Sequence, residues 1–147
     1  GLSRSEIEDN IITFIGAGTF IFLSAFIMKK ENAIQTNSLY DTKWSLKKIH
    51  TEAGVEEVNT KAFIKFHQEK KSAGGNGSCN MFGSSFTISN NAISFKNIFS
   101  TKMYCEGVQQ IEDAFFKQLE KVDRFEMKDK VLLLYYGKDV LLEFATE

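Results

Sequence analysis

The sequence predicts a mainly β (α+β) fold, an antiparallel sheet curled into a barrel with one amphipathic helix packed against it. Three observations carry that expectation. Short runs rich in β-branched and aromatic residues alternate with clusters of Asn, Asp, Ser and Gly from about Lys43 to Phe144. The chain has no proline, so every tight turn must rest on those four residue types. One segment alone breaks the pattern, with apolar residues at helical spacing.

The first 37 residues stand apart from this pattern. Ile11 to Met28 is an uncharged run, at the lower edge of the length that crosses a hydrocarbon core as a helix. It lacks the polar positions at 3.6-residue spacing that a soluble core helix would show. Residues 11–28 therefore read as a signal or membrane-anchor segment, with a buried strand or helix of the domain as the other reading. The flanks are awkward for a signal peptide, because Glu6, Glu8 and Asp9 outweigh Arg4 and Lys29-Lys30 follow the apolar run. No Ala-x-Ala-like cleavage site stands out. Leu23-Ser24-Ala25 matches the start of a bacterial lipobox, but Phe26 stands where the lipidated Cys would be, so no lipid can attach there. Residues 29–41 are polar and aperiodic, as a tether is. The domain boundary falls near Asn37 to Leu39, giving an anchor and tether over 1–37 and a domain over 38–147.

Within the domain the expected strands are Lys43 to Ile49, Ala62 to His67, Ser85 to Ile88, Ala92 to Phe95, Ile98 to Lys102, Arg124 to Lys128, Val131 to Tyr136 and Asp139 to Phe144. Turns come from Ser89-Asn90-Asn91, Lys128-Asp129-Lys130 and Gly137-Lys138-Asp139. The run Gly74 to Gly77 reads as a loop whose glycines take positive φ. Val108, Ile111, Phe115, Leu119 and Val122 recur at intervals of 3, 4, 4 and 3, which marks the inner face of a helix with Gln109, Glu112, Asp113, Gln118 and Glu120 outside. Glu112 and Asp113 near its start and Lys117 and Lys121 near its end agree with the helix dipole.

At 147 residues, with 43% hydrophobic and 25% charged, the chain is one ordinary domain plus a short extra segment. A formal charge of -1, with Lys and Glu mixed along the chain, gives no basic footprint of the kind that neutralises phosphates, so no nucleic-acid partner is expected. Fourteen Phe against one Trp point to plain apolar bulk for a core.

Two stretches carry the family signal. Gly74-Gly75-Asn76-Gly77-Ser78-Cys79-Asn80-Met81-Phe82-Gly83 is a glycine-dense run into Cys-Asn, and Ser100-Thr101-Lys102-Met103-Tyr104-Cys105 follows about 25 residues later. With Trp44-Ser45-Leu46 at the start and the paired apolar runs Val131 to Tyr135 and Val140 to Phe144 at the end, residues 39–145 resemble the META domain, the family that includes the HslJ heat-shock proteins of bacteria. The motif residues are Trp44, Gly77, Cys79, Asn80, Phe82, Gly83, Ser100, Thr101, Met103 and Cys105. The resemblance implies a barrel-like sheet with one helix, a non-catalytic cell-envelope role linked to stress or antibiotic tolerance, and no named ligand.

Weighed for chemistry, these residues offer little. His50 and His67 lie in no motif and read as surface or strand-end positions, which leaves a cysteine nucleophile without a base. The two Cys and two His are isolated in sequence, unlike the close pairs of zinc sites, so no metal or cofactor is expected. Gly74 to Gly77 lacks the Gly-Lys-Ser/Thr ending of a phosphate loop. Asn76-Gly77-Ser78 fits the glycosylation sequon, a pattern too short to mean much, and Asn80 reads as a cap on turn backbone. For Cys79 and Cys105 two readings stay open: a disulfide, favoured by their even count in an exported protein and by their place in both motifs, or two unpaired core thiols. The functional expectation is a non-enzymatic domain exported to the bacterial envelope, membrane-attached through residues 11–28, that binds an envelope protein or component. The alternative is a small barrel carrying an apolar ligand in its interior.

Overall fold

The computed structural model describes residues 38–146, and the anchor, tether and lipobox-like readings over 1–37 lie outside the described residues. Among the described residues, nine strands and one helix follow in order: β1 Trp44–Thr51, β2 Gly54–Glu57, β3 Phe63–His67, β4 Ser72–Asn76, β5 Met81–Ser89, β6 Ala92–Ser100, α1 Gln109–Lys121, β7 Arg124–Lys128, β8 Val131–Tyr136 and β9 Asp139–Ala145. All the strand pairings are antiparallel, in the spatial order β9-β8-β7-β6-β5-β4-β3-β1-β2, and β9 also pairs with β1. That last pairing closes the sheet into a ring and leaves β2, which pairs with β1 alone, as its exposed edge.

Three two-residue hairpins drive the meander. The β5–β6, β7–β8 and β8–β9 pairs end on Ser89↔Ala92, Lys128↔Val131 and Tyr136↔Asp139. The first loop residue of each, Asn90, Asp129 and Gly137, has φ between 52° and 59°. Asn, Asp and Gly tolerate that left-handed conformation best, so these turns need no proline.

Alternation puts one face of each strand except β2 inside. Trp44, Leu46, Ile49, Ile64, Phe66, Ile93, Leu132, Leu134, Leu142 and Phe144 are nearly or fully buried. The interior is filled ring against ring, with Phe66 5.4 Å from Phe86 and 5.9 Å from Phe95, and Phe115 of α1 5.4 Å from Phe82 and 5.9 Å from Phe144. Such spacings are favourable aromatic contacts beyond their area burial. The seam between β6 and β7 is the thinnest part of the ring, a single Ala92↔Arg124 pair. Here α1 connects the two strands and packs against β6, β9 and β1.

Four expectations need correction. Gly74 and Gly75 lie in a strand, β4, and neither has positive φ. They are glycines because of close approach: a Cβ on Gly75 would stand 2.1 Å from the Phe63 carbonyl oxygen. The runs Ala92 to Phe95 and Ile98 to Lys102 are one strand, β6, interrupted by Asn97 at φ 57° where the register with β5 shifts. Strand β5 begins at Met81, four residues before the apolar alternation became visible. The fourth concerns α1: Phe115, Leu119 and the capping residue Val122 are buried as expected, but so are Glu112 and Gln118, which were placed outside.

Candidate functional site

The motif residues converge at one end of the barrel. Asn76 to Asn80, between β4 and β5, forms a tight loop: the Ser78 N–H donates to Asn76 Oδ1 at 2.8 Å and the Gly77 N–H to the Asn80 carbonyl at 2.9 Å. The Ser78 and Thr60 hydroxyls share a hydrogen bond at 2.8 Å. Gly77 lies against the helix, where a Cβ would come 2.6 Å from the Phe116 ring and 2.8 Å from Glu112 Cγ. Any larger residue there would have to displace the Phe116 ring and the Glu112 side chain. Asn76 is buried, with its Nδ2 3.6 Å from Met81 Sδ, so the sequon is closed to glycan attachment.

Asn80, 2% exposed, is the pivot. Its Nδ2 donates to the Met103 carbonyl at 2.9 Å and to Glu112 Oε2 at 2.6 Å. Its Oδ1 accepts the Thr101 hydroxyl at 2.8 Å and the Met103 N–H at 2.7 Å. One side chain thus joins the β4–β5 loop, the segment after β6 and the first turn of the helix. Both amide functions are occupied, as a buried amide requires.

Glu112, also 2% exposed, supplies the counterpart. Its Oε1 accepts the N–H groups of Cys79 at 3.0 Å and Asn80 at 2.6 Å, while Gln109 Nε2 donates to Oε2 at 3.4 Å. Burial pushes this carboxyl up, but the bonds from Asn80, Cys79 and Gln109 outweigh it and hold the group below its ordinary pKa. The buried charge is held by oriented N–H donors instead of a cation. Cys79 and Cys105 form a disulfide with Cα atoms 5.8 Å apart, so the reading with two unpaired thiols falls. Gln109 Oε1 accepts the Cys105 N–H at 3.3 Å.

The structure brings together Gly77, Cys79, Asn80, Thr101, Met103 and Cys105, with Phe82 beneath them against Phe115 and Phe116. The other motif residues lie apart. Trp44 is buried in β1 and donates from Nε1 to the Leu39 carbonyl at 3.1 Å. Ser100 pairs with Phe82 across the β5–β6 hairpin, and Gly83 lies under the Phe99 ring. Glu112 and Gln109 are the members sequence reasoning missed. A signal for Glu112 was present: 108, 112, 115, 119 and 122 step by 4, 3, 4 and 3, as good a helical face as the one drawn through Ile111. Polarity alone argued against it.

This arrangement locks segments together. Its carboxylate is saturated and its cysteines are bonded to each other, so neither has a free lone pair or thiolate for substrate. The histidines lie elsewhere. Half-buried His50 has Nε2 2.6 Å from Glu143 Oε2 and borders an open cleft of about 950 Å³ with Lys117, Lys121, Tyr136 and Asp139. Exposed His67 has Nδ1 3.7 Å from Asp41 Oδ1. Among the described residues, no three His, Cys, Asp or Glu side chains converge as metal ligands would. Among the described residues also, no helix is long and apolar enough to cross a membrane.

Comparison with known proteins agrees with this fold. The sequence pattern of the META domain matches residues 37–147. A Burkholderia xenovorans protein solved by NMR superposes with a TM-score of 0.64 at 23% identity, over 78% of this chain and 87% of that one. A second NMR structure gives 0.59 at 20% identity, over 75% and 92%. At these identities the likeness is one of fold. No protein of curated function matches the chain.

Proposed function

The chain belongs to the META domain family, and on that premise we propose that it is a non-catalytic domain of the cell envelope, attached to a membrane through residues 11–28, that works by surface recognition. The observation that carries the reading is the Cys79–Cys105 disulfide at the centre of the motif cluster. Such bonds persist in oxidising compartments and are rare where thiols are kept reduced. The polar residues a catalyst would need are spent on structure: Glu112 and Asn80 are saturated, and His50 is partnered by Glu143. The filled interior supports recognition at the surface, since an apolar carrier would need the space that Phe66, Phe82, Phe86 and Phe115 occupy. A link to stress or antibiotic tolerance follows from the family resemblance alone.

Fractionation of cells producing the whole chain tests this reading. The protein is expected with the envelope membranes, and Cys79 and Cys105 are expected to resist alkylation until a reductant is added. Recovery in the cytosol with both thiols open to alkylation would contradict it.

A further inference from the structure

Charge is unevenly distributed along the chain. From Lys61 to Cys105 there are six Lys and one Glu, a net +5 within a chain of net -1, so the remaining residues carry -6. This segment builds β3 to β6, whose registers align the outward side chains in rows. Lys65, Gly74, Gly83 and Phe99 stand opposite one another across four strands, and His67, Ser72, Ser85 and Lys96 form the next row. Gly74 and Gly83 leave a trough of about 380 Å³ beside Phe99. Lys70 and Lys71 extend the basic rim from the β3–β4 turn, and Lys102 extends it from the other side.

The same surface carries most of the exposed large apolar groups among the described residues. Phe99 is 68% exposed, Tyr104 77%, Met103 59% and Met81 56%, whereas the other three, Val55, Val131 and Tyr136, are scattered over β2 and β8. The four are neighbours through the backbone: Phe99 pairs with Gly83, the Thr101 N–H donates to the Met81 carbonyl, and the motif cluster clamps Met103 beside them. Clustered apolar side chains ringed by cations mark an interaction surface.

We propose that this outer face of β3 to β6, with the 99–104 segment, docks onto an anionic lipid bilayer. Phe99, Met81, Met103 and Tyr104 enter the boundary between headgroups and acyl chains while Lys65, Lys96 and Lys102 meet the anionic headgroups. The choice of a bilayer over a soluble polyanion rests on the four apolar side chains, which add nothing to phosphate binding but gain from acyl contact. The partner follows from the reading above, on which this inference rests. Residues 29–37 extend at most about 30 Å, so a chain held in a membrane at 11–28 keeps this face within reach of the lipid at a high effective concentration.

The test uses the whole chain carrying Tyr104→Trp, with vesicles of phosphatidylcholine alone or with about one-third phosphatidylglycerol, as in the anionic surfaces for which lysine attraction is known. Flotation reports attachment; quenching of the new indole by brominated lipid reports docking, since Trp44 is buried. The chain is expected to float with both vesicles but to be quenched only on anionic ones. Lys96→Gln with Lys102→Gln should weaken docking by about fivefold per lysine and leave flotation unchanged. Flotation with anionic vesicles alone would sink the anchor reading and leave docking standing. Equal quenching on neutral and anionic vesicles, or none on either, would overturn docking. So would an equal change in indole emission with soluble polyphosphate in place of vesicles.

Discussion

Two carboxylates, Glu112 and Glu126, each organise a small polar network, and they differ in almost every physical respect. Glu112 is buried and is held by N–H donors of the β4–β5 loop and by Asn80 and Gln109, with no cation in contact. Glu126 lies on the outside of β7 with its side chain 46% exposed. It accepts from Arg124 at 2.9 Å and from the Tyr135 hydroxyl at 2.9 Å, while the Arg124 guanidinium lies 3.9 Å over the Tyr135 ring. Both carboxyls titrate below their ordinary value, Glu126 through its bond to Arg124 first and Tyr135 second. The Tyr135 phenol moves up, from burial and from the bond to Glu126. The contrast shows that a lowered pKa does not measure structural importance. Water can replace the partners of Glu126, whereas the donors around Glu112 would be left unsatisfied in the interior.

The largest effect is expected at the pivot of the buried network. Asn80→Ala removes four side-chain hydrogen bonds, three of them at the chain segment after β6 that carries Thr101 and Met103. It should destabilise the domain by about 4 kcal/mol, since buried partners are stranded as well as bonds lost. Denaturant unfolding checks this, and a cost below 1 kcal/mol would mean the network is dispensable.

Somewhat smaller is the covalent link across the same region. The disulfide spans 26 residues, for which the chain-entropy relation gives about 3.5 kcal/mol. Cys79→Ser, Cys105→Ser and the double variant should all lose a similar amount, because each removes the same constraint. Melting curves decide it, and an additive double variant would show that the thiols contribute separately. Glu112→Gln should cost about 2 to 3 kcal/mol at neutral pH, because its amide has to present a donor to donors. At the other extreme, Glu126→Ala should stay within about 1 kcal/mol. A loss there as large as that at Asn80 would erase the distinction between the two networks.

The two networks also differ in how far the sequence disclosed them. Strands β7 and β8 and the helix were legible because alternation and helical spacing report burial directly, and the turn residues Asn90, Asp129 and Gly137 announced their hairpins. Strand β4 was hidden because its glycines look like a loop; their real cause, the approach of the Phe63 and Phe82 backbones, is a tertiary fact. Strand β2 is short and wholly exposed, so no burial pattern marks it. The motif cysteines and Asn80 stood out by resemblance, but Glu112 did not, because a charged residue on a helix is solvated far more often than buried. What reverses that expectation is a set of oriented donors 32 or 33 residues away in sequence.

That Glu112 is an ionised strut of the barrel end is tested most directly by the pH dependence of unfolding. Because its folded pKa is lowered, the unfolded chain binds the proton more readily in the interval between the two pKa values. Its stabilisation is therefore complete above the unfolded value, about 4.3 for Glu, and is lost as the pH falls through the folded one. Unfolding free energy measured from pH 7 to pH 3 on the native chain and on Glu112→Gln should give curves well separated at neutrality that converge in acid. Curves that stay parallel over the whole range would contradict the account.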